Sequence, residues 1–154
     1  RGCTPMHLAM TSQSVNVVRF IARRSPESLT PKTFHGLLPL HAACDYACPK
    51  AVRVLLKYGP ASMIDDNDNA TRETALHVAA RRAASSKGAD SLGHLRCVQL
   101  LVRAGSKGAS MTDVLGLRPI VYAMRTNHAM LIGVLIVACP EDMTLLMNAQ
   151  HKQV

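Results

Sequence analysis

A short run of Gly, Pro, His and Ala returns four times along the chain, and this periodicity constrains the fold more than any other property of the sequence. GCTPMHLAM covers residues 2–10, GLLPLHAAC residues 36–44, RETALHVAA residues 72–80 and GLRPIVYAM residues 116–124. Its Pro position is filled by Pro5, Pro39, Ala75 and Pro119, which are 34, 36 and 44 residues apart. Self-similarity at such a period marks supersecondary units that bury a core by stacking on one another. Each motif leads into an apolar run with helical packing: VVRFI from Val17, VRVLL from Val52, VQLLV from Val98 and IGVLI from Ile132.

The separation between motif and run is 14 residues from Thr4 to Val18, from Leu38 to Val52 and from Arg118 to Ile132, but 24 from Thr74 to Val98. The extra residues are assigned to segment 83–93, between the two helices of the third unit, as a loop or a second contact surface. Arg82-Ala83-Ala84-Ser85, running into it, also spells a weak basic-directed kinase site.

The motif has the chemistry of a helix start. Thr4 and Thr74 can accept bonds from exposed amides, and Pro5, Pro39 and Pro119 stand where a missing N–H costs nothing. His7, His41 and His77, three residues beyond the cap, can reach back to it, as the Glu or Gln of a capping box does. Gly2, Gly36 and Gly116 suit a turn requiring positive φ. Ala9, Ala43, Ala79 and Ala123 leave room for a neighbouring helix. Each unit reads as a turn, a short helix and a second helix.

G-x-T-P-x-H-x-A near a 33-residue spacing, followed by a V-x-L-L helix, resembles the ankyrin repeat family over nearly the whole chain, and Asp113-Val114-Leu115-Gly116 matches the D-x-x-G of that family's finger. The resemblance implies an all-α solenoid of stacked helix pairs with β-hairpin-like finger loops. Its repeats would cover approximately 2–35, 36–70, 71–114 and 115–141, with a partial capping repeat at 142–154. Thr144 would begin that last copy, and 144–150 would cover the all-round apolar run Met130 to Cys139. Departures from the pattern are Leu38 and Arg118 for the capping Thr, Arg72 for the turn Gly, Val121 for His, and Ser12, Ala47 or Asn127 for the Gly between helices.

Composition agrees with one compact unit. The chain has 154 residues, 48% apolar and 18% charged, with 3% aromatic and no Trp, so aliphatic and Met side chains must fill the interior. Five cysteines without a CxxC pair point to reduced thiols and an intracellular setting. Met130–Cys139 is too short to cross a bilayer. Because Arg1 leads at once into a motif, the chain is expected to be a monomeric piece of a longer protein.

The sequence has no GxSxG, phosphate-binding glycine loop, HExxH or paired carboxylates on one face. No catalytic residue, cofactor or metal is expected. His41, Cys44 and Cys48 lie at helical spacing but lack zinc-type pairing, and buried thiols are the better reading. Asp65-Asp66-Asn67-Asp68-Asn69 opens like a calcium loop yet lacks the glycine and closing Glu in register, so it reads as a solvated finger tip.

The net charge of +8 draws attention to Arg19, Arg23, Arg24, Lys50, Arg53, Lys57, Arg96 and Arg103, all in or beside second helices. The resemblance places these on the convex back, where a solvated face is expected rather than a phosphate track, and no aromatics are read as interleaved with them. Nucleic acid is therefore not expected as a partner. The alternatives are a basic module for nucleic acid or phosphoinositide, and a substrate-recruiting part of a larger enzyme.

By the same resemblance, recognition falls on the concave finger and first-helix side, where another protein or peptide with acidic and apolar residues would bind. The positions are Phe34, His35, Leu37, Asp45 and Tyr46 in the second repeat, Glu73, Arg81 and Arg82 in the third, and Val114, Leu115, Leu117 and Arg125 in the fourth. Phe34, Tyr46, Val114 and Leu115 would bury apolar partner groups, while Arg81, Arg82 and Arg125 would pair with carboxylates.

Overall fold

In the computed structural model, which describes residues 2–151, the chain is a ladder of antiparallel helix pairs. The first pair is α1 (Pro5–Thr11) and α2 (Val15–Arg24), the second α3 (Pro39–Asp45) and α4 (Pro49–Tyr58). The third pair is α5 (Ala75–Ser85) and α6 (Ala89–Arg103), and the fourth α7 (Pro119–Arg125) and α8 (Ala129–Ala138). First helices pack in the row α1, α3, α5, α7 and second helices in the row α2, α4, α6, α8. Residues 152–154 of the expected fifth copy lie outside the described residues.

Leu40, Leu55, Leu76, Leu101, Leu131 and Leu135 are sealed from solvent between successive layers. Burying each contributes about 1.5–3 kcal/mol, and it happens only against the neighbouring pair. His7, His41 and His77 join the layers by hydrogen bonds. In the first repeat His7 Nδ1 accepts from Thr4 N–H at 3.3 Å while Thr4 Oγ1 accepts from His7 N–H. With Nδ1 so engaged, Nε2–H faces the next finger and donates to Leu37 O at 2.9 Å. His41 reaches Glu73 O and His77 reaches Leu117 O in the same way. Leu38, having no acceptor, supplies only its backbone N–H to His41.

Between the pairs run tight fingers, closed by Thr33 N–H to Leu37 O, Asp68 N–H to Glu73 O and Asp113 N–H to Leu117 O. Neighbouring fingers are joined by Asn69 N–H to His35 O and Val114 N–H to Thr71 O. Extended pairing among the described residues is limited to the bridge between Asn67 and Thr74. Gly36 has φ +80°, and a Cβ there would meet Asn69 N at 2.5 Å, so contact between the second and third fingers requires glycine.

Several sequence expectations are corrected. Segment 83–93 is largely helical: α5 and α6 lengthen to take up the additional residues, leaving only 86–88 between them. Three of its residues are Ala, a strong helix former, and where it ends Gly93 lies against Ala47 and the adjoining His94 donates from Nε2 to Asp45 O at 3.1 Å. The finger at Asp65–Asn69 is not a solvated tip throughout. Asp68 is buried and accepts from the Ala70, Thr71 and Arg72 amides, and Asp65 accepts from Ser106 Oγ and the Lys107 and Gly108 amides. The left-handed residue between α1 and α2 is Gln13, not Ser12. Helix α9 (Met143–His151) starts before Thr144, whose hydroxyl donates back to Glu141 O, and Met130 and Val137 on α8 stay exposed.

Candidate protein-binding groove

The row of first helices and the fingers that precede them enclose a groove of about 380 Å³ across the first three repeats. One wall is set by the motif position between His and Ala, filled by Leu8, Ala42 and Val78, which point to the side opposite the second helices. The other comes from finger residues including Thr33, His35, Leu37, Ala70 and Thr71. Asp45, Tyr46, Glu73 and Arg81 complete the polar part.

Two bidentate ion pairs stiffen this side. Arg81 donates from Nε and Nη2 to the Glu73 carboxylate at 2.8 and 3.0 Å, and Arg82 donates to Asp45 at 2.6 and 3.1 Å. The Glu73 side chain is 9% exposed, against 31% for Asp45, so the first pair is held from solvent and the second is open to competition. Hydrogen bonding to Glu73 raises the Arg81 guanidinium further above its already high range, partly opposed by burial.

In the fourth repeat Tyr122 donates its hydroxyl to Asp113 Oδ2. Burial, then that bond, pushes the Tyr122 phenol up to about 12. Burial alone would raise Asp113, but bonds from Tyr122 OH and the Leu117 and Leu115 amides outweigh it and hold the carboxyl below the usual range. Asp113 therefore fixes the finger that presents Val114 and Leu115.

Among the residues singled out from the sequence, His35, Leu37, Asp45, Tyr46, Glu73 and Arg81 come together along the groove. Phe34, Val114 and Leu115 stand on finger tips, 79%, 58% and 72% exposed, and Arg125 is exposed at the end of α7. Leu117 is half-buried, with its carbonyl tied to His77. Arg81 and Arg82 already have carboxylate partners within the chain. Leu8, 58% exposed on α1, was missed, although the recurring position between His and Ala carried the signal.

Among the described residues no cluster of His, Cys, Asp and Glu could hold a metal, and no helix is long and apolar enough to cross a membrane. The described cysteines are unpaired; Cys44, Cys48, Cys97 and Cys139 are buried and Cys3 is exposed. A hydrogen bond with Cys97, then burial, raises the Cys44 thiol well above its ordinary range, which makes it unreactive.

A family model of ankyrin repeats in three copies matches residues 1–70, and a single ankyrin repeat model matches 71–114. The chain belongs to the ankyrin repeat family. The α7–α8 pair extends that architecture past the matched residues. Similar curated proteins are the B-cell lymphoma 3 protein homolog of Mus musculus, 27% identical over 86% of this chain, and the B-cell lymphoma 3 protein of Homo sapiens, 30% identical over 80%. The aligned part is 28% and 25% of their respective lengths, so the chain spans about a quarter of these relatives. In kind, this is an ankyrin repeat protein-interaction module.

Proposed function

We propose that the chain binds an extended segment of a partner protein along the first-helix and finger groove, with acidic and apolar partner residues in alternation. The observation that carries this reading is a groove lined by the exposed Leu8 and Tyr46 and braced by two ion pairs, with Phe34, Val114 and Leu115 exposed on finger tips of the same row. Rigid aromatic anchors beside arginine are what interface centres favour, and a pre-formed wall lowers the ordering cost of binding. Arg125 is open to a partner carboxylate, and Arg82 becomes so when a stronger acceptor displaces Asp45. The chain's part in a longer protein would be presentation rather than chemistry, holding the partner for whatever else that protein carries.

Capture with the chain as bait, followed by calorimetry on the captured protein, tests the reading. Phe34→Ala with Tyr46→Ala is expected to cost at least ~2 kcal/mol of affinity. Asp45→Asn, which releases Arg82, is expected to tighten an acidic partner. Affinity unaltered by both changes would remove this face from consideration.

A further inference from the structure

The second helices present equivalent outward positions in register. In α4 these are Lys50, Arg53 and Lys57; in α6 they are Arg96, Gln99 and Arg103. In α8 the same three are Met130, Gly133 and Val137, with Met130 64% and Val137 77% exposed. The outer face thus passes from cationic to wholly apolar within two layers. No acidic residue occurs in α2, α4 or α8, and α6 has only Asp90, while the four ion pairs among the described residues use none of these cations.

Two grooves follow this change. One, of about 360 Å³, lies between α4 and α6 and is lined by Lys50, Arg53, Arg96 and Arg103. The other, of about 490 Å³, lies between α6 and α8 and is lined by Val102, Met130, Gly133, Val134 and Val137. Gln99 and Arg103 line both, which makes them one continuous track. At the far end of the same face the structure corrects the sequence reading on aromatics. Phe20 lies under the Arg24 guanidinium at 5.8 Å, and Tyr58 accepts from Arg23 Nε at 3.0 Å.

We propose that this track docks an acidic amphipathic helix of a partner protein, carboxylates toward the α4–α6 cleft and apolar side chains over α8. A further repeat stacked on α8 would not cover Met130, Gly133 and Val137, because the equivalent Lys50, Arg53 and Lys57 stay exposed beneath α6. Nucleic acid would satisfy the cations and gain nothing from the apolar half. A flat lipid surface would not reach the half-buried Leu100, Val102 and Val134 between the helices. A docked helix lying parallel to α6, over Gln99 and Arg103, turns one face to each groove; with side chains it is about 10–12 Å across and fits within the two helix spacings of about 8–10 Å from α4 to α8. This site is separate from the first-helix groove.

The test uses fluorescence anisotropy with a labelled 18-residue peptide, Glu along one helical face and Leu along the other, and a scrambled peptide of the same composition. The amphipathic peptide is expected to bind at least tenfold more tightly than the scramble. Affinity should fall at least tenfold in Lys50→Glu/Arg53→Glu/Arg96→Glu and at least fivefold in Met130→Ser/Val137→Ser, each checked for folding by circular dichroism. Phe34→Ala/Tyr46→Ala should leave it unchanged, which separates this site from the first-helix groove. Equal binding of scramble and amphipathic peptide, or indifference to the outer-face substitutions, overturns the proposal. So does tenfold tighter, Lys50/Arg53/Arg96-dependent binding of a 20-base-pair duplex or of phosphatidylserine vesicles.

Discussion

His41 and Glu73, thirty-two residues apart, are joined by a hydrogen bond from the imidazole Nε2–H to the backbone carbonyl at 3.1 Å, while Nδ1 accepts from Leu38 N–H at 3.2 Å. One side chain therefore satisfies a helix start in its own repeat and a finger carbonyl in the next. The ring is almost wholly buried, so neither backbone group has water as a substitute.

Removing this bridge uncouples two layers. His41→Ala leaves a buried donor and acceptor unsatisfied and opens a cavity, at an expected cost of about 2–5 kcal/mol. His7→Ala, at the first layer, is expected to cost less, because Thr4 Oγ1 still accepts from the residue 7 amide. Urea unfolding midpoints compare the two; an equal or reversed order would show that the Thr4 cap does not offset the loss of the imidazole.

Stability should also fall in mild acid. Burial lowers the basicity of His7, His41 and His77, with backbone carbonyl bonds opposing in part. An unfolded histidine takes up its proton near pH 6.5, and the folded rings do so only at lower pH. Their contribution is complete above about pH 6.5 and is lost as pH drops through the depressed folded values. The expected slope is up to about 1.4 kcal/mol per pH unit for each histidine. Urea midpoints at pH 7.5 and 5.5 check it, and a flat profile would contradict the assignment.

The capping residues were legible in the sequence because Thr4 and His7, or Thr74 and His77, are three apart and act within one helical turn. The leucine layers were legible for the same reason, since helical spacing fixes which side is buried. Pairings across repeats were not: Asp45 and Arg82 are 37 residues apart, and only the stacked fold makes them neighbours. The insertion misled because its length was visible while its fate, two longer helices rather than a loop, depended on packing against α3. Leu8 was overlooked because an apolar residue beside a buried motif His reads as core until its direction is known.

Among the described residues, four that are not glycine hold left-handed backbone: Gln13, Ala47, Arg72 and Asn127, with φ of 52°, 51°, 54° and 52°. Three of them follow first helices and Arg72 lies in the third finger. Such a conformation costs an L-residue about 1–2 kcal/mol, less for Asn. Ala47→Gly is therefore expected to stabilise by about 0.5–1 kcal/mol after the greater chain entropy of unfolded glycine is subtracted. Asn127→Gly should change little. Thermal melts of the two variants side by side would expose an error if Asn127→Gly gained more.

At the other end of the ladder Arg118, in the place of the motif's capping Thr, donates from Nη1 to Asp142 Oδ1 at 2.6 Å. Asp142 is fully buried, and its second oxygen has no partner among the described residues. That bond raises the Arg118 guanidinium further above its usual range. A buried ion pair contributes little net, whereas stripping away one member leaves a bare charge at a cost of about 3–5 kcal/mol. Arg118→Thr is thus expected to destabilise by that amount even though Thr is the better cap. Arg118→Thr with Asp142→Leu should recover most of the loss, because no charge remains to be solvated. If the double variant unfolds at the same urea concentration as Arg118→Thr alone, the arginine acts through packing of its stem rather than through the carboxylate.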